Sequence, residues 1–381
     1  MSIYNNLKIA DLTSTETIIN HFVRKAYVEV RDSDDDYFVE FKVGNKTIHS
    51  SVITGRSGFT HPFIEYYQPY HIVIHNTRTG KKVYDYHLNL ENQRVVVELG
   101  SSALGDTLAW FPYTDRFQKK HNCQLFVITF HNHLFKDQYP NITFIEPGTV
   151  LPNIFAWYRI GWDYDENNRV NHNRHPLDPR AFPMQKNASD ILGLPYTELK
   201  PKLKEIASIA PATKYVCIAN HSTSQAKYWN NPEGWQVVVD YLKDRGYEVI
   251  LLSKEKDGHN GNRNPIGVIY PPDHRIETIM FLLKRSKFFI GIGSGLSWLS
   301  WALDVPTVLI SGFSLPYTEM KDCIRISAPE NKCTGCFNWI KLQDNGSWNW
   351  CPKFEGTEKQ FECTKNITPT DVIDAIQPLL N

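Results

Sequence analysis

Val95-Val-Val-Glu-Leu-Gly-Ser-Ser-Ala-Leu-Gly-Asp106 decides the fold class of this chain. It opens as a short, almost wholly apolar strand, breaks at glycine, and passes into an amphipathic pattern that runs to about residue 120. Strand, glycine loop and helix in that order begin a parallel α/β unit. The apolar runs at 124–129 and 142–145 continue it, and a polar, Pro- and Asn-rich stretch at 163–187 leads to a short helix near 188–194. Further on the alternation resumes: strands at 215–219, 248–253, 288–292 and 306–310 are separated by helical patterns at 232–245, 276–285 and 295–303. Two such series predict two doubly wound units with a cleft between them.

Upstream the texture differs. Segments 26–31, 37–43 and 71–75 alternate apolar and polar residues, with Gly44-Asn45 and Thr79-Gly80 as turns, which predicts a β-rich, barrel-like N-terminal subdomain. The expected division is 1–93 (β-rich), 94–195 (first Rossmann-like unit) and 196–381 (second Rossmann-like unit). The last includes an insertion at 331–365 and a closing helix at 369–380, capped by Thr368 or Thr370.

The 381 residues carry 41 Lys+Arg against 41 Asp+Glu and are 41% hydrophobic, values of a globular protein with room for two or three domains. A net charge of zero gives no reason to expect nucleic acid or a charged membrane surface as partner. The first residues lack a signal-peptide layout and no apolar run is long enough to span a bilayer, so the expected compartment is the cytoplasm.

Three loops follow predicted strands and carry candidate chemistry. Asp106 falls in a first helical turn at a strand's carboxyl end, where it could take a proton from an acceptor hydroxyl or simply favour the helix dipole. Gly105 before it would let backbone approach a ligand. In the loop 220–229, Ser222, Thr223, Gln225 and Lys227 suit a diphosphate, with Lys227 as a point charge; a solvated polar turn is the alternative. In Gly291-Ile-Gly-Ser-Gly-Leu-Ser-Trp298 the amides of Ser294, Gly295 and Leu296 would make an anion site at a helix start, although tight strand-to-helix packing explains the glycines nearly as well. His131 and His133 could share one face of a strand end but read as structural histidines.

Seven cysteines are an odd count, and four crowd together as Cys333-x-x-Cys336, Cys351 and Cys363. Two thiolates in one tight turn and two from nearby loops can complete a tetrahedral site for zinc or a single iron; disulfides or free thiols are the alternatives. Trp339, Trp348 and Trp350 would shield such a site, and Cys123, Cys217 and Cys323 read as core residues.

Together, Ala103-Leu-Gly-Asp106-Thr, Gln225-Ala-Lys227-Tyr-Trp-Asn-Asn-Pro, the Gly-Ser-Gly-Leu-Ser helix start and the cysteine cluster resemble the bacterial autotransporter heptosyltransferases, the TibC-like protein O-heptosyltransferases. The resemblance extends over nearly the whole chain. It implies a GT-B-type glycosyltransferase with an added N-terminal barrel-like domain and a four-cysteine metal-finger insertion, moving heptose from ADP-heptose to serines of autotransporter passenger domains in the cytoplasm. It implies Asp106 as general base and Lys227 as the contact to the ADP diphosphate. Cys333, Cys336, Cys351 and Cys363 would hold one structural ferric iron per subunit, remote from the chemistry, within a homo-oligomer as large as a dodecameric ring. The second unit also resembles the lipopolysaccharide heptosyltransferases, which carry Asp-Thr/Ser-Gly-Leu-x-His where this chain has Gly293-Ser-Gly-Leu-Ser-Trp298. Another nucleotide sugar, a lipopolysaccharide acceptor, or a non-catalytic metal-stapled scaffold are the competing functions.

Overall fold

The computed structural model describes residues 18–206, 214–339 and 351–380. The start of the chain, Trp348 and Trp350 lie outside them. The N-terminal segment supplies β1 (Ile18–Val23), β2 (Tyr27–Val30), β3 (Tyr37–Val43), β4 (Lys46–Ile53), β5 (Gly58–Thr60), β6 (Tyr70–Asn76) and β7 (Lys82–His87). It is β-rich, as expected, but its strands divide between two sheets. β4, β3, β6 and β7 form an antiparallel sheet in that order, with Val39, Phe41, Ile72 and Ile74 buried on one face. The alternation read in the sequence is this one-sided burial.

The first α/β unit contains β8 (Arg94–Leu99), α1 (Leu104–Trp110), α2 (Pro112–His121), β9 (Gln124–Ile128), β10 (Ile142–Ile145), β11 (Ala156–Ile160) and α3 (Met184–Ile191). The helix expected through residue 120 is two helices, because Pro112 has no amide hydrogen to continue α1 and instead opens α2 at its first turn. The seven-stranded sheet has the order β10-β9-β8-β11-β1-β2-β5. Its first five strands are parallel, and β1 joins β11 through Phe22 opposite Ala156 and Val23 opposite Trp157. This sheet therefore runs across position 93/94, and both sheets pack into one continuous core.

The second unit contains β12 (Tyr215–Ala219), α4 (Gly234–Asp244), β13 (Glu248–Leu251), α5 (Ile276–Arg285), β14 (Phe289–Ile292), α6 (Gly295–Ala302), β15 (Thr307–Ile310) and β16 (Ile324–Ile326). All five strands are parallel, in the order β13-β12-β14-β15-β16. The chain closes with α7 (Glu362–Lys365) and α8 (Pro369–Ile376), the latter held by a Thr368/Asp371 capping box. Both parallel sheets reverse their winding beside a central strand, β8 in one and β12 in the other. Ligands bind outside the carboxyl ends of strands at such points.

The two units meet most closely where α1 faces α6. A side-chain carbon on Gly295 would lie 3.0 Å from Leu104 Cβ and 3.2 Å from the Gly105 amide nitrogen, and one on Gly105 would lie 3.1 Å from Trp298 Cδ1. The glycines expected to admit a ligand thus also admit the opposing helix. Among the described residues, no helix is long and apolar enough to cross a membrane.

Candidate active site

A cavity of about 630 Å³ opens between the units at both winding reversals. Asp106, Ser222, Thr223, Lys227, Ser294, Gly295 and Leu296 all line it, so six of the seven expected donor-site residues and the expected base converge. Gln225 does not. It turns to a second cavity of about 780 Å³ on the other side of its loop, with Trp235, Asn264 and Phe361, and its amide reaches Asn230 Oδ1 at 3.5 Å.

Asp106 does not cap α1, whose N-terminus has no side-chain cap. Oδ2 instead accepts a hydrogen bond from Trp162 Nε1 at 2.9 Å, and Ser101 supplies a second side-chain hydrogen bond. Desolvation in the cleft pushes this carboxyl above its ordinary range, while Ser101, Trp162 and the charge of Lys227 act in the opposite direction. A carboxyl so placed, facing a cleft at the end of a strand, is suited to take a proton from an acceptor hydroxyl.

Lys227 ends a single 3-10 turn, Gln225–Lys227, directly after the β12 loop. Its ammonium lies 5.6 Å above the Phe313 ring and acts electrostatically on Asp106, so the carboxylate and the cation come from opposite walls. Ser294 stands at the N-cap position of α6 without capping it, and its buried hydroxyl has no partner. The first amides of any helix lack intrahelical acceptors, so α6 presents donors beside that hydroxyl. His221, not singled out above, is buried, lines the cavity, and has no hydrogen-bond partner at either ring nitrogen, the Glu255 carboxylate standing 4.0 Å from Nδ1. It stacks on Tyr228 at 5.5 Å, and burial lowers its pKa despite Glu255 nearby. Its sequence signal was its place as the second residue beyond a buried strand. Orphaned polar atoms at Ser294 and His221 suit a polar, anionic ligand.

All seven cysteines are free thiols. Cys123 and Cys217 are core residues as expected, whereas Cys323 is half-buried. Cys336 interacts with Cys333, Cys351 and Cys363, and Cys363 with Cys333 and Cys351. Burial, followed by these neighbours, pushes the Cys363 thiol up to about 12. Four mutually facing soft donors fit a tetrahedral transition-metal ion. Their ligand atoms are not drawn into a compact set; among the described residues that distinction belongs to His71, Asp85 and His87.

The cysteine region is not remote from the cleft, contrary to expectation. Ala226, beside Lys227, packs with Cys351 and Phe361. Asn230 Nδ2 donates to Thr364 Oγ1 at 2.9 Å, and Trp229 Nε1 to the Ile367 carbonyl at 2.9 Å. On the other wall Phe337, next to Cys336, makes an edge-on contact with Trp162 at 5.8 Å. The chain brings these parts together because Gly312 lets the Cys363 backbone pass against it, which any side chain would block at 2.3 Å.

The family model for glycosyltransferase family 9 (heptosyltransferase) matches residues 157–335. Autotransporter heptosyltransferase BAHTCr of Citrobacter rodentium is 37% identical over 331 residues, which cover 83% of this chain and 78% of the relative. This chain belongs to the autotransporter heptosyltransferase family. It is therefore a glycosyltransferase with a GT-B-like pair of α/β units and a β-rich N-terminal region. Among the autotransporter heptosyltransferases of known structure, the iron-containing dodecameric TibC from enterotoxigenic E. coli H10407 is similar at a TM-score of 0.89 and 31% identity, over 100% of this chain and 99% of that one. TibC in complex with ADP-D-beta-D-heptose gives the same TM-score at 30% identity, over 98% of this chain and 99% of that one. The family also includes BimC of Burkholderia thailandensis, described as inactive, 29% identical over 79% of this chain and 72% of the relative.

Proposed function

We propose that this enzyme transfers heptose from ADP-heptose to serine hydroxyls of autotransporter passenger domains. The observation that carries the reading is Asp106 and Lys227 acting on one another from opposite walls of one cleft. The serine oxygen attacks C1 of the sugar while its proton passes to the Asp106 carboxylate. The bond from C1 to the diphosphate oxygen breaks, and ADP leaves with the electron pair. Lys227, the Ser294 hydroxyl and the amides of Gly295 and Leu296 offset the charge that develops on it. Ser222 and Thr223 complete the diphosphate side, and His221 flanks them. In this scheme 94–195 is the acceptor side and 196–381 the donor side, with 1–93 added for acceptor or subunit contacts.

Cys333, Cys336, Cys351 and Cys363 would hold a ferric iron, TibC being iron-containing, with zinc the alternative for the same thiolates. Bound there, the metal supplies a crosslink that fixes the 331–365 segment. A homo-oligomer, dodecameric as TibC is, and a cytoplasmic location complete the proposal. Four thiols free of disulfides suit a reducing compartment.

Intact-mass analysis of an autotransporter fragment co-expressed with this enzyme tests donor and acceptor together. A mass increment of one or more heptoses, absent with Asp106→Ala, is the expected result. A hexose increment, or none with the wild-type enzyme, would sink the reading.

A further inference from the structure

The four-stranded sheet carries a cluster that the transfer reaction does not use. β6 and β7 pair so that His71 stands directly opposite His87, while Asp85 lies two residues earlier on β7 and so on the same face. The His71 and His87 rings stack 3.9 Å apart at 10°. His71 Nε2 and Asp85 Oδ1 are 2.6 Å apart, and one ligand atom from each of the three residues lies within 4.8 Å of the others. None of the three lines the interdomain cavity.

We propose that His71, Asp85 and His87 form a second metal site, for a divalent ion of the zinc class, distinct from the cysteine cluster. Two imidazoles and one carboxylate are the donors that zinc, nickel and copper favour, and they lack the oxygen-rich shell that calcium or magnesium needs. Metal–ligand bonds of about 2.0–2.2 Å at tetrahedral angles put the ligand atoms roughly 3.3 Å apart. Reaching that spacing opens the His71–Asp85 pair from 2.6 Å by about 0.7 Å and closes pairs as wide as 4.8 Å by at most about 1.5 Å. Half-exposed side chains on a sheet surface make that adjustment without moving the backbone.

The charges around the cluster are compatible with a cation. Lys82 pairs with the other Asp85 oxygen, but it is 53% exposed and its ion pair is of the weak surface kind. Lys42, on β3 opposite His71, is held by Glu40 at 3.2 Å. A plain ion-pair network would need only Lys82, Asp85 and His71. His87 adds the third corner, and the pair of stacked rings beside one carboxylate is the feature that a metal explains. Three protein ligands leave one tetrahedral position for water or for a side chain of a second copy.

Cobalt(II) added to the purified, metal-loaded, chelator-washed enzyme tests the site. One cobalt per chain should bind with d–d absorption, without a thiolate charge-transfer band, and should be displaced by zinc. His87→Ala and Asp85→Asn should each weaken cobalt binding by at least about tenfold, the lower end of what even outer-shell changes cost a metal site. Unchanged melting of the metal-free variants verifies that the sheet is intact. Cobalt uptake that shows only the thiolate band, no uptake at all, or equal affinity in the wild type and both variants would overturn the assignment.

Discussion

Trp162 donates its indole Nε1–H to Asp106 Oδ2 at 2.9 Å across 56 residues of chain, and Phe337 from the cysteine segment rests edge-on against the same indole. The candidate base is thus held by a residue that is itself held by the far unit. Asp106→Asn should keep ADP-heptose binding and lower transfer by about 10²–10⁴-fold, the usual worth of general-base catalysis. Near-normal turnover in a single-turnover assay would remove Asp106 from that role.

The acid limb of the pH profile should report this carboxyl. Transfer requires its ionised form, so the rate climbs as pH rises through a pKa that desolvation has raised. Trp162→Phe removes a hydrogen bond that favours the carboxylate and should move the limb to higher pH with little change in KM for donor. A limb that stays put, or moves down, contradicts the assignment.

Lys227→Ala has two separable consequences. Losing a charge-assisted contact should weaken ADP-heptose binding by about 10–100-fold. Losing the positive charge that acts on Asp106 should also push the acid limb upward. Calorimetry with ADP reads the first effect and the pH profile the second; unaltered ADP affinity would count against the diphosphate role.

Gly295→Ala places a methyl group 3.0 Å from Leu104 Cβ and 3.2 Å from the Gly105 amide, where backbone leaves little room to yield. Overpacking of this kind costs about 1–3 kcal/mol. The variant should melt lower and lose turnover, since the base and the α6 amides are forced apart. A normal melting temperature with normal kcat would show that the units have slack at this point.

The donor loop should respond to the cysteine segment. Thr364→Val removes the acceptor at 2.9 Å from Asn230 Nδ2, and one neutral hydrogen bond is worth about 1 kcal/mol, or roughly fivefold in ADP affinity. Removing the metal should produce a larger loss of ADP affinity. Binding that is indifferent to both changes would restore a purely structural role for the segment.

Much of this was legible beforehand, for identifiable reasons. Val95, Val96 and Val97 are all buried, so β8 announced itself as an apolar run, and the strands of the second unit did the same. Loops at the carboxyl ends of those strands had to face a cleft, which located Asp106, Lys227 and Ser294. What stayed hidden depends on pairing between distant segments. The insertion of β1 beside β11 is fixed by register, not by any local pattern. His71 and His87 are sixteen residues apart and become neighbours only through the β6–β7 ladder, whereas the sequence pair His131 and His133 ends with rings 6.3 Å apart and His131 bound to the Ser102 carbonyl. Gln225 shares its loop with Lys227, yet the 3-10 turn sends the two side chains to opposite sides.

The sheet that crosses position 93/94 has a bearing on any attempt to dissect this enzyme. A chain begun at residue 94 would keep every named group of the candidate cleft but would strip β1 from β11, leaving the Ala156 and Trp157 backbone as a raw edge beside apolar side chains. Unpaired edges of this kind recruit other chains. Such a fragment is expected to aggregate more readily than the full chain, so that the N-terminal strands would serve as a cover for the sheet edge as well as an addition to the fold.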